Sequence, residues 1–325
     1  MTRKMTYRDA GVDIDKGNAL VDKIQQKVQS TYGTPVLAGV GGFASVYAID
    51  EQRCIVASTD GVGTKLLVAQ QMGIHNTIGI DLVAMCINDV LCTGARGLFF
   101  MDYLATGELD LSVAEQIIEG VVEGCRQAGL ALLGGETAEL PDMYTKGLYD
   151  LAGFAVGEVD RQNLLDGSAI EDGYYIVGLA STGIHANGLS LARRLIDPIE
   201  DAQLWAELLT PTRIYTPYVA TIDPVLIHGL AHITGGGWRN IARIHRAFDY
   251  LIETPPTPTP IFAQLQQRSG LSDAEMYQTF NMGVGMVVIT CQPSKVQTQV
   301  GCDSWVLGRV RRGSGNVYFK QTKIE

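Results

Sequence analysis

The sequence predicts a mixed α/β fold, α+β in its layering, arranged as two domains. Three observations predict it. The chain has 325 residues, and 46% of them are hydrophobic, enough for two cores of ordinary size. Short apolar runs alternate with amphipathic stretches of helical period, the pattern of strands layered with helices. A polar, turn-rich stretch, Asp160–Gly173, interrupts the alternation near the middle. It sets domains at 1–165 and 166–325.

The elements follow in order. Ile14–Ser30 reads as a helix with Leu20, Val21, Ile24 and Val28 on one face and Asp13 or Asp15 as its cap. Gly39–Ala44 is a glycine loop. It is no dinucleotide-binding turn, because it does not open a helix after a strand. Cys54–Ser58 is a buried strand, followed by a short helix to about Met72 and a strongly apolar helix, Gly79–Cys92. Gly97–Leu104 is a strand, Leu111–Ala128 an amphipathic helix, Leu130–Leu133 a strand ending in a glycine loop, and Leu151–Val159 a closing strand. The second half begins with strand Tyr174–Ala180. It includes a helix over Trp238–His245 and an extended connector, Thr254–Pro260. Strands Ser304–Val310 and Asn316–Lys320 flank a basic turn with Arg309, Arg311 and Arg312.

Composition excludes some functions. The net charge is −10, with no Lys/Arg cluster or basic–aromatic ladder, which argues against nucleic acid as a partner. The six cysteines show no CxxC pair or zinc spacing and read as small core residues of a reducing compartment. Met1–Gln26 lacks a signal-peptide apolar region, and no 18-residue apolar stretch exists. A cytoplasmic protein with no membrane partner is expected.

The chemistry concentrates in glycine-rich segments. Asp60-Gly61-Val62-Gly63-Thr64-Lys65 stands where a strand gives way to a helix. Its glycines admit backbone N–H groups to phosphate oxygens, Lys65 supplies a point charge, and Asp60 suits Mg²⁺. It lacks the Walker A order, and a tight turn with solvated charges is the competing reading. Asp81, Asn88 and Asp89 lie on an apolar helix, 81 and 88 on one face with 89 beside them. They are metal or nucleotide contacts, or they bond to neighbouring loops. Gly134-Gly135-Glu136-Thr137-Ala138-Glu139 repeats the design of glycines, acid and threonine. Together the three acidic elements can surround a Mg²⁺–triphosphate, since Mg²⁺ takes few carboxylates. In Ser181–Gly188, His185 is a candidate acid, base or charge stabiliser at a helix start, or else a solvent-facing residue in an ordinary cap. Thr234-Gly235-Gly236-Gly237, with His232 nearby, is a second anion-competent helix start. Thr212 and Arg213 are candidates for holding a phosphate; the glycines of Phe280–Met286 read as packing.

Taken in order, these segments resemble the phosphoribosylformylglycinamidine cyclo-ligases, or aminoimidazole ribonucleotide synthetases. The resemblance spans nearly the whole chain: Tyr7–Ile14, Asp60–Lys65, Gly79–Asp89, Asp102-Tyr103, Gly134–Glu139, Pro141–Tyr144, Leu151–Phe154, His185–Gly188, Leu209–Arg213 and Gly235–Gly237. The acid–glycine loops alone also fit ATP-using relatives, such as selenophosphate synthetase and thiamine-monophosphate kinase. The Tyr7–Ile14, Pro141–Tyr144 and Leu209–Arg213 stretches favour the cyclo-ligase. The resemblance implies a first domain that pairs with its twin into a strand barrel, hence a homodimer. It implies that ATP phosphorylates the amide oxygen of formylglycinamidine ribonucleotide and that the amidine nitrogen then closes the imidazole ring, expelling phosphate. It implies catalytic roles for Asp60, Lys65, Asp89 and His185. Nucleotide contacts would come from Gly61, Val62, Gly63, Thr64, Asp81, Asn88, Gly135, Glu136 and Thr137, and Mg²⁺ contacts from Asp60, Asp89 and Glu136. Asn187, Arg213, Gly235, Gly236 and Gly237 would face the substrate. Two positions depart from the family: Gln25 stands where a lysine is usual, and Asp142 where a glycine is. A nucleotide-binding homologue without catalysis is the reading that Gln25 would favour.

Overall fold

The computed structural model describes residues 4–324. The first domain is a six-stranded sheet, β1 (Val36–Ala38), β2 (Ser45–Ala48), β3 (Arg53–Gly61), β4 (Arg96–Thr106), β5 (Ala131–Glu139) and β6 (Tyr149–Asp160), in the order β1-β2-β3-β6-β4-β5. Its helices are α1 (Ile14–Gln29), α2 (Lys65–Met72), α3 (Ile78–Leu91) and α4 (Leu111–Ala128). All neighbours run antiparallel except β4 and β5, whose parallel pairing needs the crossover helix α4. The second domain is a seven-stranded mixed sheet. Its strands are β7 (Tyr175–Ala180), β8 (Gly229–His232), β9 (Phe248–Ile252), β10 (Val284–Thr290), β11 (Ser304–Arg312), β12 (Val317–Phe319) and β13 (Thr322–Lys323), in the order β13-β12-β9-β11-β7-β10-β8. Helices α5 (Leu189–Leu195), α6 (Ala202–Glu207), α7 (Thr216–Val219), α8 (Pro260–Ser269), α9 (Asp273–Thr279) and α10 (Pro293–Gln299) complete it.

Local chemistry explains the elements that position the site. Asp13 caps α1 by accepting from the Lys16 N–H. Asp110 caps α4 through the N–H groups of Ser112 and Val113, and Gly129 ends it in the left-handed conformation. In β3, β6 and β4 alternate residues are buried, so one face of the first sheet packs on helices. That face receives α3, a helix apolar nearly all round. α3 is pressed on its other side by α4, closely enough that a Cβ on Gly79 would stand 2.2 Å from the Val121 nitrogen. α3 also touches β8 and α7 of the second domain, α2 touches α5, and α4 touches α7. One continuous apolar core runs through both domains.

Three expected loops are regular structure. Asp60 and Gly61 lie inside β3, paired with Gly153 and Ala152, so the turn proper is only residues 62–64. Gly134–Glu139 is strand, because β5 stays in register with β4 as far as Glu139 opposite Thr106. Arg309, Arg311 and Arg312 lie within β11. The expected helix over Trp238–His245 is a 3-10 helix, Gly237–Arg243. Gly237 has φ 59°, and a Cβ there would meet the Tyr277 carbonyl at 2.1 Å, so close backbone approach sets its conformation.

The α3–α4 crossing makes a test. Gly79→Ala forces the two backbones apart and is expected to lower stability by about 1–3 kcal/mol. Urea denaturation measures it; a midpoint equal to the parent's would contradict this account of the crossing.

Candidate active site at the domain interface

Burial sorts the residues singled out from the sequence into a closed set and an open set. Lys65, the first residue of α2, is fully buried. Its Nζ lies 2.9 Å from both carboxylate oxygens of Asp81 and 2.7 Å from the Thr210 carbonyl. Oδ1 of Asp81 also accepts from the Thr212 N–H at 2.8 Å and from its hydroxyl at 2.5 Å. Two turns on, Oδ1 of Asn88 accepts from the Tyr215 N–H, and its Nδ2 donates to the Arg213 carbonyl, each at 2.9 Å. Burial pulls the Lys65 pKa down, and the Asp81 charge opposes that pull. In this structure Lys65, Asp81, Asn88 and Thr212 are buried and spend these hydrogen bonds on the protein, tying the first domain to the loop at 210–215 of the second. An apolar helix cannot hide polar groups without partners, and the second domain supplies them.

His185 belongs to the closed set as well. It is fully buried, and its Nε2 accepts from the Thr182 N–H at 3.2 Å and the Arg213 N–H at 3.4 Å. Nε2 is therefore unprotonated and the ring neutral; burial pushes its pKa well below the usual histidine range. Its backbone is left-handed, φ 61°, and Gly285 leaves room for the ring, since a Cβ there would lie 2.5 Å from Cε1. The other ring nitrogen of His185, Nδ1, is buried with no hydrogen-bond partner among the described residues. His185 joins two loops.

The open set keeps partial exposure or unpartnered polar atoms. Asp60, on the helix-packed face of β3, keeps partial exposure, and among the described residues its carboxylate accepts from its neighbour's N–H, Gly61, at 2.7 Å and from no other group. Burial raises its pKa to about 6; the Gly61 N–H opposes this, the Asp89 charge adds to it, and His232 and Arg243 lower it. Asp89, one residue past the closed face of α3, is partly exposed, with Oδ1 2.9 Å from Nδ1 of His232. Asp60 feels the Asp89 charge, and among the described residues neither carboxylate is ion-paired with Lys or Arg, an arrangement that fits a bound cation. Among the described residues no group of three or more His, Cys, Asp and Glu is placed to enclose a metal. Mg²⁺, which keeps waters and phosphate oxygens, does not need one. Above the carboxylates, the turn Val62-Gly63-Thr64 meets the second domain through Thr64 Oγ1, 3.0 Å from Ser190 Oγ. Asn187 is buried with Nδ2 unpartnered, and its Oδ1 would lie 3.3 Å from a Cβ on Gly235. Gly235 is exposed; Gly236 and Gly237 are buried behind it. Arg213 is partly exposed, its Nε unpartnered, and it lines a groove of about 560 Å³ with Ile80, Thr182 and Tyr218.

Glu136 is placed elsewhere. The register sets it in a row with Tyr103, Ala152 and Gly61, on the outer face of the sheet, whereas Asp60 shares the inner face with Asp102 and Gly135. The trio of Asp60, Asp89 and Glu136 is thus not assembled within one chain. Gly135 has a packing reason: a Cβ there would stand 2.4 Å from Oδ1 of Asp102. Thr137 is exposed on the same edge strand. Sequence reasoning missed His232 as a partner of Asp89. Its one signal is a histidine inside the apolar strand Gly229–His232, two residues before Thr234.

Two tests follow. Lys65→Met leaves Asp81 buried and unpaired, an expected loss of about 3–5 kcal/mol, and adding Asp81→Leu recovers much of it. A denaturant double-mutant cycle reads this; if Lys65→Met kept full stability, the buried tie would be wrong. Asp60→Asn works in the other direction. The folded pKa of about 6 lies above the unfolded 3.8, so the folded state binds more protons in that window and stability falls as pH rises through it. At pH 7 the ionised group costs about 3 kcal/mol, from 2.2 pK units at 1.36 kcal/mol each. Asn removes that cost, so the metal-free variant is expected to be more stable at pH 7 and no more stable below pH 4. Equal melting curves at pH 7 would contradict it.

Comparison with known proteins places this geometry. The sequence profile of the AIR synthase related protein N-terminal domain matches residues 41–159, and that of the C-terminal domain matches 171–320. A protein of Thermoanaerobacter pseudethanolicus named phosphoribosylformylglycinamidine cyclo-ligase is 47% identical, the match covering 96% of this chain and 99% of that one. One of the same name from Nitrosococcus oceani is 46% identical, over 94% and 91%. Among solved structures, thiamine monophosphate kinase from Aquifex aeolicus shares the fold at 19% identity and TM-score 0.62, covering 94% of this chain and 97% of that one. T. maritima PurL complexed with ADP shares it at 17% identity and TM-score 0.59, covering 89% of this chain and 45% of that one. The chain belongs to the AIR synthase related family and, within it, to the phosphoribosylformylglycinamidine cyclo-ligases.

Proposed function

We propose that the interdomain cleft is the ATP and substrate site of a cyclo-ligase, an enzyme that forms a carbon–nitrogen bond in purine biosynthesis. The observation that carries the reading is the pair Asp60 and Asp89 beside the turn 62–64, neither ion-paired with Lys or Arg among the described residues. ATP phosphorylates the formyl amide oxygen of formylglycinamidine ribonucleotide, which turns a poor leaving group into a good one. The amidine nitrogen attacks that carbon, phosphate leaves, and aminoimidazole ribonucleotide and ADP are the products. Such transfers rest on positioning and on charge stabilisation, not on covalent chemistry by the protein. Asp60 and Asp89 hold Mg²⁺, which when bound neutralises phosphate charge. The N–H groups of Gly63 and Thr64 face phosphate oxygens. Asn187, Gly235 and Arg213 face the ribonucleotide. Lys65, Asp81, Asn88 and His185 fix the loops that carry these groups.

In this reading residues 1–165 bind ATP and dimerise, and 166–325 complete the site. The outer face of the first sheet exposes Tyr47, Met101, Leu133 and Phe154, large apolar side chains with no cover in one chain. A twin sheet laid on that face gives the homodimer with a strand barrel. Among the described residues no helix is long and apolar enough to cross a membrane, and all six cysteines are free. Free thiols suit a cytoplasmic enzyme.

The assay is direct. Purified protein with ATP, Mg²⁺ and formylglycinamidine ribonucleotide is expected to release phosphate only with that substrate present and to yield the imidazole. Asp89→Ala should cut turnover by about a hundredfold or more, the scale of losing one contact to transition-state charge. Substrate binding with neither product would sink the reading.

A further inference from the structure

A chain of hydrogen bonds crosses the domain interface and ends on Asp89. It starts at the Tyr215 N–H, which can only donate, and donates to Asn88 Oδ1 at 2.9 Å. That fixes the Asn88 amide, so Nδ2 is the donor. One of its protons goes to the Arg213 carbonyl at 2.9 Å, and the other points at Nε2 of His232 at 3.4 Å. Nε2 must then offer its lone pair. The imidazole proton is left on Nδ1, which donates to Asp89 Oδ1 at 2.9 Å. His232 is fully buried on β8 and held in the sheet opposite Met286. Asp89 retains 14% side-chain exposure, and no hydrogen bond is made by its Oδ2 among the described residues.

We propose that His232 is a positioning residue: it anchors one oxygen of Asp89 in a single tautomer and so presents the other oxygen to the cation and phosphates in the cleft. The inference rests on the reading of Asp89 as a metal contact. The physical logic is that of a ligand oriented by its outer partner, whose loss typically weakens metal binding about 10–100-fold. The arrangement also makes the first domain's carboxylate depend on the second. Every group that sets its orientation beyond α3 itself (Tyr215, Arg213 and His232) comes from the second domain.

The test uses the full chain, Mn²⁺ as the probe ion, and a non-hydrolysable ATP analogue. Bound Mn²⁺ is counted by paramagnetic resonance. His232→Leu is expected to weaken Mn²⁺ binding about 10–100-fold, and His232→Asn, whose amide can replace the Nδ1 donor, to recover most of it. Asp89→Asn is run beside them. If Asp89→Asn binds Mn²⁺ normally, the metal reading of Asp89 falls and the inference with it. If Asp89→Asn weakens binding while folded His232→Leu does not, the inference alone falls; it also falls if His232→Asn loses as much as His232→Leu. Nitrogen-15 resonance of histidine-labelled parent protein gives a readout that needs no folded variant. A neutral His232 protonated on Nδ1 is expected, and a proton on Nε2 overturns the proposal.

Discussion

The buried tie among Lys65, Asp81, Thr210 and Thr212 is the constraint on which the rest of the site depends. An ammonium and a carboxylate withdrawn from water are costly, and their attraction offsets that only when every remaining hydrogen-bonding position is filled. Here Nζ donates to Asp81 Oδ1 and to a carbonyl, Oδ1 takes two more donors from Thr212, and Oδ2 is left with the charge of the ammonium 2.9 Å away. Two of those partners come from the second domain. Separating the domains would therefore strip a buried ion pair, both of whose members lie in the first domain, of its Thr210 and Thr212 partners. The same tie pins the first residue of α2, and with it the turn 62–64 that the cleft requires.

Helix α3 shows how a single element serves both structure and chemistry. Asp81 and Asn88 lie about two turns apart on the face that meets the second domain, and both are closed off. Asp89 is rotated by one residue, which is enough to bring its carboxylate to the cleft. The segment that looks like one acidic cluster is thus an interdomain clasp with one exposed edge. His185 follows the same rule. Its residue type suits proton transfer, but its surroundings make it a neutral acceptor that joins two backbone N–H groups.

Much of the fold was legible. The amphipathic period of residues 111–128 matches α4 end to end, and the apolar run after Gly79 is α3 within a residue. The strands at 54–58, 97–104, 151–159 and 174–180 are present and longer or shifted by a few residues. Gly134–Glu139 was misread because glycines signal turns locally, whereas here Gly135 makes room for the Asp102 carboxylate on the next strand. The partners of polar residues were not legible at all. Asp81 meets Thr212 across 131 positions, and His232 meets Asp89 across 143. No local pattern encodes such a meeting. The sequence marks a polar residue in an apolar helix as needing a partner but does not say whether that partner is a ligand or the protein.

That ambiguity has a physical resolution in the contrast between the two acid pairs. Asp81 has its counter-charge within the protein, so its ionisation is already compensated and nothing further is required of the surroundings. Asp60 and Asp89 have no cationic side chain paired to balance them jointly. The pKa of Asp60 rises to about 6, chiefly by burial. A chain selected for stability alone would have replaced one carboxylate by an amide. In the proposed function a cation completes the pair and offsets that cost. The burial that makes Asp60 costly when metal-free also lowers the local dielectric, and so strengthens its hold on a divalent ion once bound. The clasp at Lys65 and the unbalanced pair at Asp60 and Asp89 are thus two halves of one construction. The clasp holds the domains close enough for His232 of the second to reach Asp89 of the first.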